Sequence, residues 1–248
     1  MQVANTLKHV IPFIETHTKI AEGARVLEIG CGEAGVLKAF TDKGCVGVGV
    51  ELDAPRLVFA REWMQAEMEA GKITFVEKDI YLVKTQEEFN GGFDIIILKD
   101  VIEHIHNQPK LIAWMKTFLN PGGIIFFGFP PWQMPFGGHQ QVMQSKLLSR
   151  LPYFHLLPMF LYKGILNLFK ENTAAFTEIK DTGISIERFE RIVKETGYSI
   201  VKQTHYFINP IYEFKFGWKP KKQGALISAI PWVRNFFTTC VYYIIAPI

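Results

Sequence analysis

Short apolar runs alternate with segments of helical spacing through the first 130 residues. Arg25–Ile29, Val46–Glu51, Ile73–Val76, Phe93–Leu98 and Ile124–Phe129 are compact, largely apolar runs of the kind buried in a sheet. Ahead of them, Val3, Leu7, Val10, Ile11 and Ile14 recur at helical spacing and predict one or two lead-in helices. Pro55 sits where the first turn of a helix tolerates it, and Gly71 closes that helix. Pro109 opens another, with Leu111, Ile112, Met115, Phe118 and Leu119 on one side, and Asn120-Pro121-Gly122-Gly123 stops it. Strand and helix alternating with short connections predict an α/β, doubly wound, mostly parallel sheet. After residue 130 the pattern breaks. Residues 131–180 are rich in Pro, Leu and aromatics without a clear strand, and Met159–Lys170 reads as a helix with a broad apolar face. Ser185 then caps a helix carrying Ile186, Phe189, Ile192 and Val193 and ended by Gly197, and Tyr198–Ile208 and Thr238–Ile245 read as two late strands.

Composition narrows the class. The chain has 248 residues, 48% hydrophobic and 21% charged, which is globular and not disordered. Its net charge of +3 is too small to argue for nucleic acid, and no basic stripe interleaved with aromatics appears. Cys31, Cys45 and Cys240 are odd in number and form no CxxC, so they read as reduced thiols of a cytoplasmic protein. The apolar run Val10–Ile14 is short for a signal peptide, and Pro231, Arg234 and Asn235 interrupt the apolar C-terminal segment before it reaches spanning length.

The chemistry concentrates after the first strand. Gly30, Gly32 and Gly35 form GxGxxG between a strand and a helix, and Glu51 ends the second strand 21 residues beyond Gly30, the layout of a nucleotide or nucleoside site. Glu28 selects among such ligands. A carboxylate at the C-terminal edge of the first strand repels a pyrophosphate but suits a ligand bearing an ammonium, a sulfonium and no phosphate, which describes S-adenosylmethionine (SAM).

Val26-Leu27-Glu28-Ile29-Gly30-Cys31-Gly32 resembles motif I of the class I SAM-dependent methyltransferases. Val48-Gly49-Val50-Glu51-Leu52-Asp53 and Phe75-Val76-Glu77-Lys78-Asp79-Ile80 are similar to their second and third motifs. Phe93-Asp94-Ile95-Ile96-Ile97 with Val101-Ile102-Glu103-His104-Ile105 is similar to the fourth, and Leu119-Asn120-Pro121-Gly122-Gly123 to the turn before strand five. The resemblance covers residues 20–130 and resumes over 184–206. It implies one SAM-binding domain over residues 1–248, with a seven-stranded sheet ending in an antiparallel hairpin. It also implies that Glu28 and the glycine loop (Gly30, Cys31, Gly32, Gly35) meet the methionine part of SAM, with the Lys99 backbone near the methionine end. Glu51, followed by Leu52, would take the ribose hydroxyls, and Asp79 the adenine amino group beside Ile80. One departure stands out: Ala34 occupies a position where many members carry glycine.

Methyl transfer from a sulfonium needs alignment and a dry site, and a base only where the acceptor loses a proton. Candidates are His104, which otherwise holds a turn, and His139 in Pro135-Phe136-Gly137-Gly138-His139, which otherwise anchors a loop. Asp100, Glu103 and His104 stand at i, i+3 and i+4, so a helical turn would put them on one face. Some methyltransferases of polyprenyl catechols carry a similar cluster and use a divalent ion. A solvated helix face explains the same spacing, and no metal is assigned. Residues 131–180 are expected to be a lid over the acceptor. The expected activity is methylation of a small or medium-sized acceptor at oxygen or nitrogen. The alternatives are a lipid-linked or polyprenyl acceptor met at a membrane surface, with Lys219-Pro220-Lys221-Lys222 touching anionic lipid or else forming a solvated loop, and, from other classes, an NAD-dependent oxidoreductase or a non-catalytic SAM-binding protein. The apolar face of the lid helix is expected to pack on the domain or a homodimer partner, the alternatives being an apolar acceptor pocket that it lines or a membrane surface.

Overall fold

The computed structural model describes residues 1–83 and 86–248. Eight strands form one sheet: β1 Arg25–Ile29, β2 Val46–Glu51, β3 Ile73–Glu77, β4 Phe93–Lys99, β5 Leu119–Phe129, β6 Tyr198–Ile208, β7 Lys221–Lys222 and β8 Cys240–Pro247. Their order is β3-β2-β1-β4-β5-β8-β6-β7. The first five run parallel, and β8 returns antiparallel between β5 and β6. Seven strands match the expected set. The eighth comes from the basic run: Lys221 and Lys222 pair with Ile208 and Tyr206 as a short edge strand where a loop was expected. Pairing between β4 and β5 shifts register past Phe93, so the Asn120–Gly123 turn lies inside the assigned strand, ahead of the Ile124–Ile95 pair.

The period-two pattern of the central strands explains why they read as unbroken apolar runs. On β4, Ile96 and Leu98 enter one core, while Ile95 and Ile97 enter the other. On β8, Val241, Tyr243 and Ile245 face the first core, and Cys240, Tyr242 and Ile244 the second. Both faces are covered, so neither selects polar residues. The helices Gln108–Met115 and Ile186–Glu195 cover the first face. Ser185 Oγ caps the latter by accepting from the Arg188 N–H at 3.1 Å. The second face is covered by Gly35–Asp42, Ala54–Trp63 and an N-terminal helical run over residues 2–15 whose middle, Thr6–Val10, is π-wound.

Residues 131–180 build a separate small core of Met143, Leu148, Phe154, Tyr162, Leu166 and Phe176. It joins 3-10 turns to two helices, Met159–Leu168 and Thr173–Thr182. Among the described residues, no helix is long and apolar enough to cross a membrane.

Candidate active site

The strand order reverses between β1 and β4, and in an open α/β sheet that point opens a crevice at the strands' C-terminal ends. The loop leaving β1 turns on three left-handed residues, Gly30 at φ +69°, Gly32 at +53° and Ala34 at +58°. Gly30 is required twice over, because a Cβ there would also lie 2.6 Å from a methyl of Val101. Gly35 has a different reason: its Cβ would stand 2.7 Å from Cβ of Gln2, so its absence lets the N-terminal helix lie on the loop. Ala34 fits sterically and is fully buried, but it holds a backbone conformation that glycine adopts more cheaply.

Glu51 fastens this loop to the end of β2. One of its oxygens accepts the Gly32 N–H at 2.8 Å, and the other accepts the N–H groups of Leu52 and Asp53 at 2.8 and 2.9 Å. Beside it lies a cleft of about 770 Å³ lined by Glu28, Gly30, Cys31, Gly32 and Gly35, with Lys99 and Asp100 also on its wall. Gln2, Val3, Arg56, Phe59 and Trp63 also stand on the wall, and no sequence motif pointed to them as site residues. Trp63 Nε1–H donates to the Glu33 carbonyl at 2.7 Å, clamping the helix after β2 onto the glycine loop. The one available signal was the aromatic pair Phe59 and Trp63 on a helix that follows an acidic strand end.

Glu51 itself, Leu52, Asp79 and Ile80 lie outside this lining. Leu52 is exposed at the end of β2. Asp79, two residues past the Glu51–Glu77 pair, caps a 3-10 turn by accepting the Tyr81 N–H at 2.9 Å, and Ile80 is buried in the core. The strand order nevertheless sets Asp79, Glu51 and Glu28 at the ends of adjacent strands, in the sequence a long ligand would meet them.

Burial raises the Glu28 carboxyl from its ordinary 4.5 to about 8, against the opposing Leu37 N–H that it accepts at 3.2 Å. A free cleft therefore holds a proton on Glu28 at neutral pH, which a cationic ligand group would displace. Burial pulls the Lys99 ammonium down, but the Asp100 carboxylate 2.6 Å away outweighs it and keeps the group charged. Burial likewise pushes the Cys31 thiol up, so it is an inert packing group.

The segment after β4 departs from the expected helical turn. Asp100 takes φ +58° and Val101 takes φ −131°, so the helical face through Asp100 does not form, and only Ile102–His104 winds as a 3-10 turn. Asp100 stays at the cleft, paired to Lys99. In its place His139 comes in from the loop after β5, with its ring centroid 4.7 Å from that of His104. His139 is itself left-handed, at φ +54°. The two glycines before it pack on Trp132 and His155, and a Cβ on Gly137 would lie 2.5 Å from His155 Nε2. His155 Nε2 is bonded to the Trp132 carbonyl at 2.7 Å, which fixes the loop from below.

Glu103, His104 and His139 offer ligand atoms within 4.8 Å of one another. Glu103 is buried, not on a solvated face, and neither of its oxygens has a hydrogen-bond partner among the described residues. Burial first, and the Asp100 charge second, raise its carboxyl well above the usual range. Partial burial lowers both imidazoles, and the neighbouring His139 adds to the effect on His104, the more exposed of the two. Two neutral imidazoles and a carboxyl lacking any donor fit a hard divalent cation as well as a proton-accepting site.

A family model described as a methyltransferase domain matches residues 2–203. The chain belongs to this methyltransferase family. The family's cofactor is SAM. Among curated relatives, the chain is 27% identical over 115 residues to the ubiquinone biosynthesis O-methyltransferase of Methylococcus capsulatus, covering 46% of each. It is 30% identical over 121 residues to the enzyme of the same name from Azotobacter vinelandii, covering 47% of the chain and 48% of the relative. The chain thus spans about half the length of the curated relatives it matches. In fold, the methyltransferase resembles magnesium protoporphyrin IX methyltransferase from Synechocystis with bound SAH, at TM-score 0.58 and 14% identity, covering all of this chain and 84% of that one. It also resembles a SAM-dependent methyltransferase from Clostridium acetobutylicum, at TM-score 0.60 and 12% identity, covering 99% and 92%.

Proposed function

We propose that this methyltransferase moves the SAM methyl group to a hydroxyl oxygen of a small or medium-sized acceptor, and that His139 takes the hydroxyl proton. The observation carrying this reading is the pairing of His139 with His104 beside Asp100, a residue of the cofactor cleft. Both imidazoles are neutral at pH 7 and therefore free to accept a proton. Glu28 and the glycine loop hold the methionine end of SAM, Glu51 and Asp79 its ribose and adenine, and the in-line displacement then needs only alignment and exclusion of water. Residues 131–180 form the lid, since they carry His139 and pack as a unit of their own. The O-methyltransferase names of the relatives favour oxygen over nitrogen. The three buried, unpaired cysteines favour a cytoplasmic compartment.

The orphaned carboxyl of Glu103 favours a second reading of the same cluster, in which Glu103, His104 and His139 hold a divalent ion. When bound, such an ion lowers the pKa of a coordinated hydroxyl. Turnover of SAM with a panel of catechols and phenols, in wild type and His139→Ala, tests the proposal. SAH formation with a hydroxyl acceptor, lost in the variant while SAM still binds, supports it; methyl transfer unaffected by His139→Ala overturns the role of that residue. Magnesium or manganese titration, with Glu103→Gln as control, separates the two readings.

A further inference from the structure

The chain's charges are unevenly placed. Residues 131–170 and 214–248 contain nine Lys and Arg and no Asp or Glu, whereas the rest of the chain has 18 basic and 24 acidic residues. Arg234 is neutralised by Glu187 and Glu190 at 2.8 and 2.6 Å. The other eight are exposed, and among the described residues none forms an ion pair. The same 75 residues hold 17 of the 25 exposed large apolar side chains, although they make up less than a third of the chain.

These two segments are joined in space. Tyr153 Oη donates to the Phe236 carbonyl at 3.1 Å, with the two rings 6.0 Å apart. The Gln223 side chain bonds to the Phe237 carbonyl, linking the Lys221–Lys222 strand to the same region. The helix Met159–Leu168 buries Tyr162 and Leu166 and turns Phe160, Gly164 and Leu168, spaced by four, to the outside. Phe160 is 73% exposed and Leu168 77%, with Lys163 and Lys170 alongside. Trp232 and Leu226 are 60% and 86% exposed on the second segment. Apolar clusters of this extent are rare on a surface that faces only water.

We infer that this face docks on an anionic lipid bilayer, with Phe160, Leu168, Leu226 and Trp232 entering the interface and the eight cations meeting lipid head groups. Charge selects the occupant. A second copy of the chain would set eight positive charges against eight, whereas an anionic surface complements them and repels the acidic remainder, which fixes the orientation. The inference deepens the proposed function: the docked face belongs partly to the segment carrying His139, so an acceptor could pass from the bilayer to the lid without crossing water.

Flotation of the full chain with vesicles of phosphatidylcholine alone, and with 30% phosphatidylserine added (roughly the charge of an anionic leaflet), tests this without any acceptor. Binding to the anionic vesicles, weakened by salt and by about fivefold for each of Lys163→Gln, Lys219→Gln and Lys222→Gln, is expected. The exposed-site variant Phe160→Ser/Leu168→Ser/Trp232→Ser should lose binding while keeping its SAM-induced thermal shift, which shows that it is folded. No binding to anionic vesicles at low salt overturns the inference, and so does a stable dimer that the same triple variant dissociates. Neither result bears on methyl transfer to a soluble hydroxyl, which is read separately with the phenol panel.

Discussion

The two sides of this site are made by different means. On the side proposed to hold SAM, backbone conformation at consecutive strand ends does the work: Gly30, Gly32 and Ala34 turn the chain, and Glu51 gathers three N–H groups within two short loops. On the side proposed to meet the acceptor, Glu103, His104 and His139 come together although the two histidines are 35 positions apart, because the loop after β5 folds back on Trp132 and His155. A donor site of local geometry tolerates little change at its turns, whereas an acceptor site of juxtaposed side chains can lose one group and leave the cofactor in place.

The largest test of that contrast is Gly30→Ala. The added methyl meets Val101 at 2.6 Å in a left-handed position, and accommodating it must displace the loop that lines the cleft. SAM affinity should fall by about 100-fold or more, since overpacking and a strained left-handed position cost about 1–3 kcal/mol each and every 1.4 kcal/mol is tenfold; calorimetric titration reads it. His139→Ala should do the reverse, lowering kcat by about 10²–10⁴ with an unchanged SAM Kd. Loss of SAM binding in this variant would show that the two sides are one unit.

Glu28→Gln sharpens the comparison through pH. The wild-type carboxyl sits near 8 in the folded, unliganded protein, well above its ordinary 4.5. The native state therefore binds more protons than the unfolded chain between those values, and unliganded stability falls as pH rises through that window. Glu28→Gln should flatten this fall, which denaturant melts at pH 5 and pH 9 would register. Since the ammonium of SAM favours the carboxylate, wild-type affinity should rise by up to about tenfold per pH unit between 6 and 8 and then level off. The variant should bind more weakly and lose that slope.

The smallest effect expected is for Ala34→Gly. Relief of the left-handed alanine outweighs the extra flexibility of glycine by about 0.5–1 kcal/mol, so Tm should rise by about 2 °C without a change in SAM affinity. A fall in Tm would mean that the methyl group's packing in the core is worth more than its strain.

How much of this was legible follows from the same contrast. The places of Glu28, the glycine turn and Glu51 at adjacent strand ends were readable because each sits at a fixed offset from an apolar strand, so sequence distance carries spatial distance. The β8 strand was readable from its apolar run, and β7 was not, because two lysines at an exposed edge look like a loop. Gln2 and Trp63 escaped notice because they reach the cleft through helix packing that no local spacing encodes. Asp100 shows the other failure. Its spacing to His104 is helical, but Asp100 itself turns left-handed and drops out of the cluster, and His139 fills the place from another loop.

The most direct measurement is calorimetric titration of SAM into wild type and Gly30→Ala, with NADH as the competing nucleotide. One SAM per wild-type chain, binding about 100-fold or more weaker with Gly30→Ala, and no heat with NADH is the predicted result. An absence of SAM binding at millimolar concentration, or equal binding by Gly30→Ala, would contradict the assignment of the glycine cleft to the methyl donor.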